Sequence, residues 1–281
     1  MLSFNNYHKP ESIDEAYDIL NKNKRSQVVG GGAFLRMGNR RLTDLIDISD
    51  LGLDQIIHQE NNIEIGGMTV FHKLETCPEL PSLYRQYFKD ALGQIVGVQL
   101  RNMVTVGGTV FSRYGFSDLN TALLAAGGSI CLHKGGIKDI ESFFMGPYPQ
   151  RDILIKVIVP NDIDHAVFKS ARLSTADYAM LNLAVTVKNN RFQVAVGARP
   201  HRALLAQETI TVLNDQWKTS QSLTKDSIDK ACMILSSEIK FGSNRIASQE
   251  YRRAVSRGLL KEALLQIQEQ EKSAKLGGHA Q

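Results

Sequence analysis

Three consecutive glycines, Gly30-Gly31-Gly32, follow the apolar pair Val28-Val29. A second pair, Gly107-Gly108, lies inside the stretch QLRNMVTVGGTVFSRYGFSDLN at residues 99–120. Glycine clusters behind short apolar runs demand turns in which the backbone takes positive φ or passes close to another group. Asp118 stands at the turn that ends the second stretch, ahead of the apolar residues 119–126. Several backbone N–H groups converging near a carboxylate suit an extended ligand that carries a pyrophosphate. Taken alone, the first cluster is equally a strand-exit turn with no ligand, and Asp118 is equally a helix cap.

The chain of 281 residues is long for one compact core and suits one large or two modest domains. Ser12-Ile13-Asp14-Glu15 has the pattern of a capping box ahead of residues with helical spacing. Short strands are expected at residues 27–29, 45–48, 56–58 and 63–65, the last two joined by a hairpin turn at Asn61-Asn62. A more helical region runs from Thr69 to about Gly97, and strands resume at residues 129–133 and 153–159. Pro160-Asn161-Asp162 breaks the chain and marks the expected boundary between residues 1–162 and 163–270. Beyond it, antiparallel strands at 166–173, 183–188 and 192–196 precede helices at 227–241 and 249–268. The tail from Gln268 is polar, and residues 271–281 are expected to be disordered.

Several function classes lose support. A nicotinamide-type Rossmann site needs GxGxxG, and Leu35 stands where the last glycine belongs. Cys77, Cys131 and Cys232 lie far apart and form no metal-ligand spacing, so no metal site is assigned to this chain. Basic residues are scattered despite a net charge of +4, which argues against nucleic-acid binding. The densest pairs, Arg40-Arg41 and Arg252-Arg253, read as solvated faces or subunit contacts. No run is long enough to span a bilayer and nothing marks secretion, so a cytoplasmic location is the default expectation.

The stretch at 99–120 resembles the flavin-domain signature of the molybdenum hydroxylases, the family of xanthine, carbon monoxide and nicotinate dehydrogenases. Tyr7-His8-Lys9-Pro10-Glu11-Ser12, residues 28–35, Ile65-Gly66-Gly67-Met68-Thr69, Asp152-Ile153-Leu154, Phe168-Lys169 with Arg172, residues 197–202 and Tyr251-Arg252-Arg253 are similar to further family segments, in order along nearly the whole chain. The resemblance implies an α+β fold. A two-subdomain FAD-binding domain of the vanillyl-alcohol-oxidase (PCMH) type would precede a C-terminal antiparallel sheet-and-helix domain of the CO dehydrogenase flavoprotein type. It implies an FAD site formed by Val28, Val29, Gly30, Gly31, Gly32, Ala33, Phe34 and Leu35 on one side. Thr105, Val106, Gly107, Gly108 and Thr109 would hold the pyrophosphate from the other. Asp118 would bind the cofactor's polar chain or sugar, Leu154 would contact the cofactor, and Lys169 would lie near the flavin ring.

The same resemblance implies partners: a molybdopterin-binding large subunit that oxidises the substrate and a [2Fe–2S] small subunit that delivers electrons. This chain would pass them as a hydride to NAD, with no catalytic side chain of its own. Two departures qualify the match. Ala33-Phe34 stands where relatives carry a hydroxyl or imidazole, and Ile95 stands where xanthine dehydrogenases place an aromatic ring on the flavin. The alternatives are a stand-alone flavin oxidoreductase of the same fold, which lacks an evident substrate pocket, and a cofactor-free assembly subunit.

Overall fold

The computed structural model describes residues 1–148, 151–220 and 222–277, with side chains to residue 272. The chain runs β1 (Ser3–His8), α1 (Ile13–Lys22), β2 (Gln27–Val29), β3 (Arg41–Asp47), β4 (Ile56–His58), β5 (Asn62–Gly66), α2 (Phe71–Thr76) and α3 (Ser82–Leu92). It continues α4 (Val98–Arg101), α5 (Val106–Ser112), α6 (Asp118–Ala125), β6 (Ser129–Leu132), β7 (Gly136–Asp139), α7 (Ile140–Met145) and β8 (Leu154–Pro160). Then come β9 (His165–Ala171), β10 (Leu181–Lys188), β11 (Arg191–Gly197), β12 (Leu204–Leu205), α8 (Gln207–Ser220), α9 (Lys225–Glu238) and α10 (Gln249–Gly277).

Three sheets organise these elements. A parallel sheet of order β1-β3-β2 carries α1. Ser12 caps α1 by accepting from the Glu15 N–H at 3.2 Å, as its sequence pattern predicts. An antiparallel sheet of order β4-β5-β8-β6-β7 packs against α2, α3, α5 and α6 around Ile63, Ile65, Phe88, Leu119 and Val157, all fully buried. The third sheet, β12-β11-β10-β9, is antiparallel. Its β10–β11 turn is Asn189-Asn190, both with positive φ (48° and 59°), the geometry that two-residue hairpins require.

The third sheet is covered on both faces. Alternation along β9 places Val167 in the cluster with α8, α9 and α10, and Phe168 in the cluster with α3 and α6. The second domain therefore packs directly on the first.

Two expectations need correction. The last helix continues past Gln268 to Gly277, because Gln, Glu, Lys, Ala and Leu there are strong helix formers; residues 278–281 lie outside the described residues. Arg252 is neither solvated nor at a subunit contact. It is 1% exposed, and its guanidinium donates to the carbonyls of Met180, Gly242 and Ala247 and to Asn244 Oδ1. The sequence reading also passed over β1, β7, α7 and α8, whose signals are short or weakly periodic.

Asp44 ties the small parallel sheet together. It accepts from Ser26 Oγ at 2.6 Å and Asn6 Nδ2 at 3.0 Å, and bonds His8 Nε2 at 2.9 Å. These partners, Ser26 foremost, lower its pKa from 3.8 to about 2. A lowered folded pKa gives stability that is present above the ordinary value and lost as pH falls through the folded one. Unfolding free energy is therefore expected to decline between about pH 4 and 2. Asp44→Asn should flatten that slope in denaturant titrations, and an unaltered slope would assign the acid sensitivity elsewhere.

Candidate functional site

A cleft of about 600 Å³ lies between the parallel sheet and the five-stranded sheet. Strand β2 delivers Val28 and Val29 to its wall, and the chain then runs along it through Gly30, Gly31, Gly32, Ala33, Phe34 and Leu35. Leu154, at the start of β8, faces the cleft across from this loop. Gly32 takes a φ of 68°, a left-handed conformation that residues with a Cβ rarely adopt. The turn is closed by the Arg36 N–H, which donates to the Gly32 carbonyl at 3.1 Å.

Among the described residues, no protein acceptor meets the N–H groups of Gly30, Gly31, Gly32, Ala33 or Phe34. A donor left unpaired in a folded chain costs about 1–3 kcal/mol when water is excluded. A consecutive run of them lining a cleft forms a receptor for anionic oxygens.

The second glycine cluster differs from its sequence reading. Gly107 and Gly108 form the first turn of helix α5, capped by Thr105. Its early N–H groups are already used. Val106 donates to the Thr69 carbonyl at 2.9 Å, Gly107 to the Gly67 carbonyl at 2.7 Å and Gly108 to Thr105 Oγ1 at 3.2 Å. Val106 is fully buried and does not line the cleft, whereas Thr105, Gly107, Gly108 and Thr109 do. This side contributes a floor and the Thr109 hydroxyl, which has no partner among the described residues. The sequence could not reveal this, because the acceptors come from residues 67 and 69 on another segment.

The glycines serve the packing of one turn on the other as much as ligand approach. A Cβ on Gly31 would fall on the Met103 carbonyl, and one on Gly30 on Thr105 Oγ1.

A second, small cavity of about 40 Å³ shares Phe34, Val104, Thr109 and Tyr114 with the cleft and extends to Ile95, Asp118, Arg172 and Tyr178. Between the two runs a chain of rings. Phe34 lies 5.0 Å from Tyr114, Tyr114 stacks on Phe116 at 5.0 Å, and Phe116 meets Tyr178 at 4.9 Å. Phe34 thus packs on the protein's own aromatics.

Asp118 faces this cavity with both oxygens engaged. Oδ2 accepts from Arg172 Nη2 at 2.6 Å and Oδ1 from Asn182 Nδ2 at 2.6 Å. Burial pushes its carboxyl up, opposed by the guanidinium beside it. Helix α6 is capped by Ser117, whose Oγ accepts from the Asn120 N–H at 3.1 Å. Asp118 is therefore not the cap, and each of its oxygens already carries one protein donor. It joins the first domain to β9–β10 of the second.

Lys169 lines neither cavity; it lies on the β9 face of Val167, and its charge acts on Asp90 of α3. The cation at the small cavity is Arg172, whose Nη1 also donates to the Asp177 carbonyl at 2.6 Å. Sequence reasoning noted Arg172 only as a motif residue. It missed Tyr114, Phe116 and Tyr178, although the aromatic spacing of RYGF was a visible signal.

Comparison with known proteins fits this geometry. The family described as the FAD binding domain in molybdopterin dehydrogenase matches residues 2–162, and the CO dehydrogenase flavoprotein C-terminal domain matches residues 166–267. The glyceraldehyde dehydrogenase medium chain of Sulfolobus acidocaldarius is 26% identical over 282 residues, covering 93% of this chain and 97% of its own. The nicotine 6-hydroxylase medium subunit of Paenarthrobacter nicotinovorans is 22% identical, covering 92% and 96%. Among solved structures, a Cu,Mo-CO dehydrogenase chain superposes with a TM-score of 0.83 at 22% identity, covering 95% of this chain and 98% of that one. Quinoline 2-oxidoreductase from Pseudomonas putida 86 gives 0.82 at 17%, covering 93% and 95%. At these identities the structures establish a common fold. The two domain matches, in order along the chain, establish more: it belongs to the molybdenum hydroxylase family, as an FAD-binding medium subunit of an oxidoreductase.

Proposed function

We propose that this chain is the FAD-holding electron-transfer subunit of a cytoplasmic molybdenum hydroxylase with three kinds of subunit. A [2Fe–2S] small subunit supplies its electrons, a molybdopterin-binding large subunit oxidises the substrate, and NAD is the acceptor. Residues 1–162 form the FAD-binding unit and 163–270 the C-terminal unit. The observation that carries this reading is the run of unpaired N–H groups from Gly30 to Phe34 along the cleft. They fit a diphosphate, which needs several converging donors and no side-chain base. Thr109 adds a hydroxyl, and Val28, Val29, Leu35 and Leu154 add apolar walls. Beyond Phe34, Ile95 and the Asp118–Arg172 pair border the flavin end. The bound flavin supplies the conversion of single electrons into a hydride. This chain's residues bind it, orient it and exclude water.

The shared wall of the two cavities bears on one competing reading. The rings of Phe34, Tyr114, Phe116 and Tyr178 occupy the space beside the small cavity, as a cofactor-free assembly subunit would have them. The flavin spectrum separates the two. Purified protein should be yellow, with about one FAD per chain, and anaerobic NADH should bleach it. Colourless protein that takes up no added FAD would overturn the reading. Flavin that NADH leaves oxidised would remove NAD from it.

A further inference from the structure

Arg101, the arginine of QLRN, lines neither cavity, yet it is tied to one of them. Its Nη1 donates to the Ile95 carbonyl at 3.1 Å, and its Nε to Glu75 Oε1 at 2.9 Å. Glu75, on α2, is 5% exposed, and the same oxygen bonds His72 Nδ1 at 2.6 Å. The Ile95 N–H donates to the Leu92 carbonyl at 2.9 Å, so both backbone groups of Ile95 are held. The next residue, Val96, has a φ of 49°. A β-branched residue in the left-handed region is strained, and such a conformation persists only where its surroundings over-determine it. Ile95 and Val96 both line the small cavity.

We infer that Arg101 is a positioning residue for the flavin end of the site. The Glu75–Arg101 pair, its carboxylate buried, grips the Ile95 carbonyl, holds the strained turn at Val96, and so sets the Ile95 side chain against the cavity. This rests on the FAD reading given above. The planar guanidinium suits the task, because it presents two donors in one rigid plane to two acceptors from different segments. A lysine keeps the charge opposite Glu75 but loses that fork.

The test uses the full chain with Arg101→Lys, and Glu75→Gln as the second variant should the first not fold. In the cofactor-free chain, amide hydrogen exchange at Ile95, whose N–H is bonded to the Leu92 carbonyl, should quicken about tenfold, with α6 unchanged. In the FAD-loaded chain, iodide should quench the flavin about two- to threefold more strongly than in wild type, and the visible circular dichroism of the flavin should change. Unaltered exchange overturns the hold on the turn. Faster exchange with unaltered quenching and dichroism overturns the link to the flavin and leaves only a local structural role. A wild-type chain that takes up no FAD overturns the FAD reading and the flavin half of this inference, while the exchange measurement still decides the other half.

Discussion

Asp118→Ala is expected to lower the unfolding free energy by about 3–5 kcal/mol, the usual cost of stranding one partner of a buried ion pair. Arg172 and Asp118 have side-chain exposures of 6% and 5%, so solvent screens the pair little. Alanine would leave the Arg172 guanidinium without its carboxylate and the Asn182 amide without an acceptor. The loss should appear as an earlier denaturation midpoint and as weaker docking of the two domains, because Asp118 joins α6 to Arg172, just past β9, and to Asn182 on β10. Asp118→Asn should cost less, since one polar contact can persist. A cofactor-ligand role alone would instead leave the fold intact and lower only FAD affinity. Wild-type stability in Asp118→Ala would sink the structural assignment.

Gly31→Val should act on the cleft itself. A Cβ there would coincide with the Met103 carbonyl, and backbone packed against backbone has no rotamer by which to yield. The first loop would have to move off the second, which carries the run of free N–H groups away from the cleft. FAD occupancy should drop below detection, and stability should fall by about 2–4 kcal/mol. Gly107→Val should resemble it in milder form, with its Cβ 2.7 Å from the Gly67 carbonyl. Gly258→Ala is the control. It lies in α10 with nothing within 4 Å, and alanine there should add about 0.5–1 kcal/mol. Flavin absorbance per chain and urea midpoints report both quantities. Full occupancy with an unshifted midpoint in Gly31→Val would show that the loops do not meet as described.

Much of the fold was legible in the chain because its signals are local. The capping box at Ser12, the strands at 27–29 and 56–58, and the double-asparagine hairpin at 189–190 depend on residues a few positions apart, and they form where they were expected. The order of family-like segments gave the two-domain α+β plan for the same reason, since a string of short motifs survives without any knowledge of contacts.

The site was legible in part. Gly30, Gly31 and Gly32 do line a cleft, but the reason these positions exclude a side chain lies at Met103 and Thr105, which no spacing in the sequence connects to them. Gly107 and Gly108 read as a turn with free donors, and became a helix start whose donors residues 67 and 105 consume.

Charge was the least legible property. Asp118, Lys169 and Arg172 are all ionisable residues beside family-like motifs, and nothing in the sequence ranks them. Lys169 lines neither cavity, and the packing of α6 on the third sheet pairs Arg172, just past β9, with Asp118. By itself the sequence located many of the strands and helices, and two glycine-rich segments suited to a common ligand. Only the tertiary structure decided which N–H groups remain free and which charges cancel. A donor's availability depends on whether an acceptor from a distant part of the chain arrives within hydrogen-bond range.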